Sequence, residues 1–175
     1  MPCVQWYHVK LFPLWSPHAP LAIALAALVF GFDQSHKWWM LSVYDIANRQ
    51  PVPLSSFFEL VLVWNRGISY GLLPTHLQGW PIAASLIVSL ILWSWACRSP
   101  SRPTIAALAI IIGGALSNAL DRAVHGAVAD FLHFHLGSFS WYVFNFADVA
   151  VVAGVAILLY ESVFERGAGG SHGNA

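Results

Sequence analysis

The chain has 175 residues, of which 58% are apolar and 9% charged, and its acidic and basic residues cancel to a formal net charge of zero. Soluble globular domains carry about a quarter charged residues, so this composition favours a protein embedded in a membrane. The charge balance shows no basic excess of the kind that binds nucleic acid. The length suits one compact domain, and we expect a single domain over residues 1–175.

Four apolar segments are long enough, or nearly so, to cross a bilayer as helices. They cover about residues 21–40, 80–96, 105–120 and 146–164. A helix needs about 20 residues to span roughly 30 Å of hydrocarbon. The first segment could instead be a secretory signal, but its Ala-x-Ala patterns at Ala22 to Ala26 lie inside the apolar core rather than after it. We therefore predict an all-α membrane protein with four transmembrane helices, the first of them uncleaved.

The connecting segments predict one small β-element outside the membrane. Within residues 41–79, the stretch 57–64 is rich in β-branched and aromatic residues, and Asn65-Arg66-Gly67 is a turn signal. Residues 68–73 can return as a second strand, which predicts a β-hairpin or small sheet on the membrane surface. The Gly-rich tail, residues 167–175, is expected to be disordered.

The basic residues orient the helices once Lys37 and Arg122 are set aside as members of polar motifs. Four of the others then fall on one side and two on the other: Lys10, Arg98, Arg102 and Arg166 against Arg49 and Arg66. The positive-inside rule places both termini in the cytoplasm and residues 41–79 outside. Cys3 and Cys97 then both face a reducing compartment, so no disulfide is expected.

Two helix ends carry polar residues that need compensation near hydrocarbon. Asp33 and Lys37 are four residues apart, so they share a helix face and can pair. This pair could brace a functional site, contact a lipid headgroup, or snorkel to the interface. Asn118 and Asp121 share a face at the end of the third segment, and the adjacent Arg122 can bond a carboxylate or a phosphate. The trio could also simply cap its helix.

Small residues line part of the third segment. Gly113 and Ser117 are four apart, and Gly114 and Asn118 repeat the spacing one residue later. Such spacing lets helices approach closely in lipid, which explains the glycines without any functional role.

Two acidic residues flank the start of the last segment. Asp130 follows Val128-Ala129 in what we expect to be a loop or re-entrant segment, and Asp148 follows Asn145-Phe146-Ala147 at the start of the fourth helix. Asp148 alone could be a helix cap. Intramembrane acids are functional candidates by default, however, because they are costly to keep there.

If Asp130 and Asp148 approach within a few ångströms, they cannot both ionise readily and would share one proton. The charged carboxylate could then take a proton from a water that attacks a carbonyl. The neutral carboxyl could donate to the carbonyl oxygen, as in aspartic proteases. Such chemistry needs no cofactor.

Two other hypotheses use the same acids. Asp130, His133 and His135 offer three metal-ligand types, although the helical His-Glu-x-x-His pattern of zinc proteases is missing. A small transporter or proton-relay protein could also use intramembrane acids. The acids gather at one membrane face instead of stepping across the bilayer, which disfavours transport.

Five motifs in order resemble the bacterial lipoprotein signal peptidases, also called signal peptidase II. They span roughly residues 30–155 and read Asp33-Gln34-x-x-Lys37, Asn65-x-Gly67-x-x-x-Gly71, Gly113-Gly114-Ala115-x-x-Asn118-x-x-Asp121-Arg122, Gly126-x-Val128-x-Asp130-Phe131 and Phe144-Asn145-x-Ala147-Asp148. Any one of these motifs would be weak evidence, whereas five in order are specific.

The resemblance implies an aspartic endopeptidase of the bacterial inner membrane that removes signal peptides from diacylglyceryl-modified prolipoproteins, cutting before the lipidated cysteine. Asp130 and Asp148 match the catalytic dyad. The remaining matches surround the dyad, hold the substrate and its lipid, or support the site; they are Asp33, Lys37, Asn65, Gly67, Gly114, Asn118, Asp121, Arg122, Asn145 and Ala147. The expected partners are the lipid-modified substrate and membrane lipid, with no metal or cofactor, and the chain is expected to be a monomer with its active site at the outer face.

Three departures from the family pattern leave substrate preference open. The usual Ala-Phe-Gly reads Ser69-Tyr70-Gly71, a usual Gly before Asn118 is Ser117, and the usual Phe-Pro reads Trp141-Tyr142. The last could change how the loop presents Asp148. Asp121, nine residues before Asp130, remains an alternative to Asp130 in the dyad.

Overall fold

Four long helices form the body of the protein in a computed structural model that describes residues 15–67 and 79–169, with side chains to residue 163. They are α1 (Ala19–Trp38), α3 (Gly79–Arg98), α4 (Arg102–His125) and α5 (Phe146–Gly169). One π-helical turn, Trp39–Val43, extends α1, and a short helix α2 follows at Ile46–Arg49. Each long helix is apolar and long enough to cross a membrane. The predicted fold class, four transmembrane helices with a small β-element, is confirmed.

Helix α4 lies at the centre and packs against α1, α3 and α5. Its glycines allow this because a Cβ on Gly113 would lie 2.6 Å from the carbonyl oxygen of Ala26 in α1. A Cβ on Gly114 would lie 2.6 Å from the carbonyl oxygen of Ala147 in α5. The prediction that small residues here serve close helix packing is therefore confirmed.

The two ends of α4 are fixed differently. At its start the Ser101 hydroxyl accepts from the backbone N–H of Thr104 (3.3 Å) and donates to Glu161 of α5 (2.8 Å). At its end Gly126 adopts a left-handed conformation (φ 70°) and its N–H bonds to the carbonyl of Arg122. This turn sends the chain directly into a strand that begins two residues later.

Within the described residues, four antiparallel strands form one sheet in the order β1 (Val52–Pro53), β2 (Phe58–Asn65), β3 (Val128–Leu136) and β4 (Phe139–Ser140). Strand β2 coincides closely with the predicted strand 57–64. Its described partners are β1 and β3, whereas the predicted second strand, 68–73, lies outside the described residues. The register places Val63 opposite Asp130 and Asn65 opposite Val128.

The expectation that Asp130 lies in a loop or re-entrant segment was wrong, because Asp130 is inside β3. Six of the nine residues of β3, Asp130 among them, pair with residues of β2 that lie more than sixty positions earlier in the chain. Below the sheet, Met40, Ile46, Ala129 and Phe131 form a buried cluster. Through this cluster the sheet packs against the end of α1, which places Asp130 close to the ends of the long helices.

The structure describes only part of the C-terminal tail and one of the two cysteines. Helix α5 continues to Gly169, and residues 170–175 lie outside the described residues, so the disorder of the tail stays a prediction. Cys97 is a free thiol, and Cys3 lies outside the described residues. That the whole chain is one domain stays a prediction.

Candidate active site

Asn145 connects the two acidic residues that the sequence singles out. Its side-chain amide donates to Oδ1 of Asp130 at 2.6 Å, and its backbone N–H donates to Oδ2 of Asp148 at 3.1 Å. Asn145 and Asp130 are both buried, with 0% and 1% of their surface exposed. The structure therefore brings Asp130 and Asp148 to one residue, at the junction of β3 and α5.

Local backbone pairing explains why Asn145 is placed there. The residue before it, Phe144, exchanges two backbone hydrogen bonds with Leu132 of β3 (2.9 and 3.0 Å). This fixes the chain beside β3 just before α5 begins. The departure at Trp141-Tyr142 lies upstream of this anchor on exposed residues, and the Trp141 N–H bonds to the carbonyl of Phe134.

Asn145 and Asp148 also cap α5 reciprocally. The Asn145 side-chain oxygen accepts from the Asp148 backbone N–H at 3.0 Å, while Asp148 Oδ2 accepts from the Asn145 N–H. This is a capping box with Asn and Asp in place of the usual residues. Asp148 is thus a helix cap, as one interpretation of the sequence held, but the cap engages only its Oδ2.

The other two carboxylate oxygens accept from asparagines. Asn118 on α4 donates to Asp148 Oδ1 at 2.9 Å, and Asn65 at the end of β2 donates to Asp130 Oδ2 at 3.1 Å. Asn65 is itself held by the N–H of Gly67, which has a φ of 119°. Such a φ suits glycine, because side chains rarely adopt it. All four carboxylate oxygens therefore have a donor.

Burial raises the pKa of Asp130 to about 6, and the neighbouring charge of Asp148 acts in the same direction. The hydrogen bonds from Asn65 and Asn145 and the charge of Lys37 oppose this rise. Asp130 can therefore hold or release a proton near neutral pH, as a general acid must.

A buried ionic cluster of Asp33, Lys37 and Asp121 lies behind the two carboxyls. The Lys37 ammonium contacts Asp33 at 2.8 Å and Asp121 at 2.7 Å, and these side chains are at most 4% exposed. Asp33 and Lys37 are therefore buried rather than snorkelling to the interface. Asp33 also accepts the backbone N–H of Ala147 at 2.9 Å, which ties α1 to the first turn of α5.

Asp121 faces this cluster and the start of β3. Besides Lys37, it accepts from the Gln34 side chain at 2.7 Å and from the backbone N–H of Ala129 at 3.2 Å. These contacts favour a supporting position for Asp121, with Asp130 as the partner of Asp148.

Arg122 lies beside the site with unused hydrogen-bonding capacity. One guanidinium nitrogen donates to the carbonyl of Asn118 at 3.2 Å, and its buried Nε has no hydrogen-bond partner among the described residues. Because guanidinium carries five donors, Arg122 can still bind a substrate carbonyl or a phosphate.

Sequence reasoning missed Gln34 and Ser117 as site residues. The fully buried Ser117 hydroxyl donates to Asp33 at 2.6 Å and accepts from Gln34 at 2.9 Å. In the sequence, Ser117 stands out only as a departure from the family pattern and as a small residue. Its polar character at a buried helix position next to Asn118 was the available signal.

The three residues of the metal hypothesis do not converge. Successive side chains of a strand point to opposite faces, so Asp130 and His133 on β3 face opposite ways. His133 instead contacts Glu59 (2.8 Å) and Ser140 (2.7 Å). Ser69, Tyr70 and Gly71 lie outside the described residues.

The chain is similar to proteins of one named class. Residues 25–164 match the family model of signal peptidase (SPase) II. A lipoprotein signal peptidase of Methylocella silvestris is 52% identical over 157 residues, covering 85% of this chain and 90% of the relative. One of a Methylobacterium species is 45% identical, covering 85% and 92%.

A solved structure described as a bacterial membrane enzyme, determined by the in meso method at 2.3 Å resolution, shares the fold. It has a TM-score of 0.74 at 20% identity and covers 89% of this chain and 94% of its own. The family match over most of the chain and the high identity to curated relatives agree with the five sequence motifs. The chain belongs to the signal peptidase II family.

Proposed function

We propose that this protein is an aspartic endopeptidase that removes the signal peptides of diacylglyceryl-modified bacterial prolipoproteins, cutting before the lipidated cysteine. Membership of the signal peptidase II family supports the reaction and the substrate class. The observation that carries the assignment to Asp130 and Asp148 is that Asn145 hydrogen-bonds to both.

The surroundings of the two carboxyls favour different protonation states. Asp148 lies in the first turn of α5, where the helix dipole favours an anion, and accepts N–H donors from Asn145 and Asn118. We assign it as the general base. Asp130, whose pKa is raised to about 6 by burial, is assigned as the carboxyl that holds the proton.

The proposed reaction follows from these roles. Asp148 takes a proton from a water whose oxygen attacks the scissile carbonyl carbon, while Asp130 gives its proton to the carbonyl oxygen. As the tetrahedral intermediate collapses, Asp148 passes its proton to the leaving nitrogen and Asp130 recovers a proton from the hydroxyl. The products are the carboxylic acid at the new end of the signal peptide, which then ionises to water, and a new amino-terminal cysteine. Asn65, Asn145 and Asn118 orient the carboxyls, and Arg122 contacts the substrate.

The proposed location is the inner (cytoplasmic) membrane, with both termini cytoplasmic and the site at the outer face. The ends of α1 and α4 and the start of α5 meet at the site beside the sheet, so all of these lie on one side of the membrane. The excess of basic residues at the opposite end supports the orientation. We propose that the protein acts as a monomer.

An apolar groove of about 610 Å³ runs between α1, α3 and α4. Its lining includes Ile23, Phe30, Leu90, Trp93 and Leu116. Such a groove within membrane-spanning helices suits acyl chains or the apolar helix of a signal peptide. We propose that substrate lipid and signal helix use grooves of this kind while the sheet near Asn65 holds the scissile segment.

The test is cleavage of a synthetic diacylglyceryl-modified prolipoprotein by the purified protein in detergent, with products identified by mass spectrometry. The expected cut lies immediately before the modified cysteine, and a matched substrate with an unmodified cysteine should stay intact. Lack of cleavage, or a cut elsewhere, would contradict the proposal. Activity that disappears in chelator would favour a metal enzyme instead.

A further inference from the structure

The ammonium group of Lys37 uses all of its donors next to the two carboxyls. An ammonium has three N–H groups and no acceptor. Here they meet Asp33 at 2.8 Å, Asp121 at 2.7 Å and the side-chain oxygen of Asn118 at 3.0 Å. Lys37 is 2% exposed, so water cannot take over these bonds. The third contact joins the ionic cluster to a residue that touches the dyad.

The contacts of Asn118 fix the direction in which its amide points. Its oxygen accepts from Lys37 and, at 3.1 Å, from the Asn145 amide, and its nitrogen donates to Asp148 at 2.9 Å. A reversed amide would set its NH₂ against two donors and its oxygen against a carboxylate. The ammonium thus forces Asn118 to present N–H groups to Asp148.

We propose that Lys37 is a positioning residue for the peptidase reaction: acting through Asn118 and through its own charge, it holds Asp148 in the ionised state and leaves the shared proton on Asp130. This inference rests on the proposed function. It goes further than a supporting role, because it assigns Lys37 an influence on the protonation of the dyad.

Other charged groups face the same region from each of the elements packed there. Asp33 and His36 lie on α1, Asp121 and Arg122 on α4, Asp130 on β3, and Asp148 on α5. Asp33 and Asp121 make anions harder to hold nearby, and Lys37 is the cation in direct contact with both. Removing its charge therefore makes this cluster more negative, since two carboxylates then face the dyad with no cation between them.

The direction in which the pH profile should shift follows from the positive charge of Lys37. Without the cation, both proton losses from the dyad become harder, so both limbs of the pH profile of kcat/KM should move to higher pH. A unit charge one residue removed from the dyad should move them by about 0.5–1 pH unit. A residue that only filled space would lower activity without moving the limbs.

The experiment compares the pH profiles of wild type, Lys37→Gln, Lys37→Arg and Arg102→Gln on a diacylglyceryl-modified substrate. Arg102 is an exposed cation at the opposite end of α4, so it is a matched control for charge removal. For Lys37→Gln we expect kcat at neutral pH to fall by about tenfold or more and KM to change by less than about twofold, with both limbs shifted upward. Lys37→Arg should keep the limbs of wild type, because it keeps the charge, even if its kcat falls.

Loss of the cation also leaves Asp33 and Asp121 buried without compensation, which can prevent folding. The double variant Asp33→Asn/Lys37→Met removes the pair as a neutral unit and keeps an acceptor for the Ala147 N–H. We expect this variant to fold with a low kcat, because the oxygen of Asn118 then loses the ammonium and keeps only the donor from Asn145. A kcat equal to that of wild type in this double variant would overturn the inference, and so would unshifted limbs in the pH profile of Lys37→Gln. In either case, cleavage by the wild-type protein would still uphold the peptidase function. Failure of wild type itself to cleave would overturn both.

Discussion

Two clusters of acidic and polar side chains in this protein differ in how deeply they are buried and in how far apart their residues lie in the sequence. Around Asn145, polar groups up to 114 residues apart in sequence meet in a buried space, and every carboxylate oxygen of the dyad has a donor. On the sheet, Glu59, His133 and Ser140 form a shorter chain of contacts, and the side chains of Glu59 and His133 are 22% and 17% exposed.

The degree of burial decides what the same kinds of residues can do. Where water reaches, it can replace a lost partner, so an exposed hydrogen-bonded pair contributes little and constrains little. Where water is excluded, each polar group depends on its protein partner, and the protonation of a carboxyl responds to burial and to every nearby charge. The raised pKa of Asp130 is an example of this response. Changes to the buried cluster should therefore be severe and changes to the sheet cluster mild.

Asn145→Ala should have the largest effect among the non-acidic variants. It removes the donor to Asp130 and the second donor to Asn118, so both carboxyls lose their relative placement. We expect kcat to fall by about 100-fold or more, the size seen when reacting groups move by about an ångström. Steady-state cleavage measures this, with the exposed Asn48→Ala as control. A fall of less than about threefold would show that the bridge is dispensable.

Gly114→Ala tests the helix contact that carries Asp148. The new methyl would lie 2.6 Å from the Ala147 carbonyl oxygen, so α5 must shift at its first turn. We expect a loss of about 1–3 kcal/mol in stability, together with reduced kcat. Gly31→Ala on α1 is the matched control, because nothing lies within 4 Å of its Cβ position. Equal thermal stability of the two variants would contradict the close approach of α4 and α5.

Relative to wild type, the Asp130→Asn variant should become more stable as the pH rises. The pKa of Asp130 is raised from 3.8 to about 6 in the fold, so folding favours its protonated form. That contribution is fully present below about pH 4 and is lost as the pH rises through about 6, whereas asparagine stays neutral throughout. We expect the variant to gain about 3 kcal/mol over wild type across this interval. Thermal unfolding in detergent measures it, and a difference independent of pH would contradict the buried acid.

His133→Gln should have the smallest effect. It weakens contacts to Glu59 and Ser140 on the sheet, which water can replace. We expect kcat within about twofold of wild type and a stability loss of less than about 1 kcal/mol. A loss of kcat comparable to that of Asn145→Ala would show that the two clusters act together, contrary to the difference in depth.

Local spacing in the sequence predicted the parts of the site that one helix carries. The i,i+4 rule paired Asp33 with Lys37, and apolar length located the four long helices. Spacing alone could not show that β3 pairs with β2, because the paired residues lie more than sixty positions apart in the sequence. The sequence therefore predicts a loop or re-entrant segment around Asp130, where the structure has strand β3. Ser117 was missed as a site residue for a similar reason: its partner Asp33 is 84 residues away.

The assignment of Asp130 and Asp148 as the catalytic pair is best tested by cleavage of a diacylglyceryl-modified prolipoprotein in chelator. Wild type is compared with Asp130→Asn, Asp148→Asn and Asp121→Asn, each checked for folding. Robust wild-type cleavage that the first two changes abolish and the third only weakens is the predicted result. Cleavage that survives Asp130→Asn, or that Asp121→Asn alone abolishes in a folded protein, would contradict the assignment.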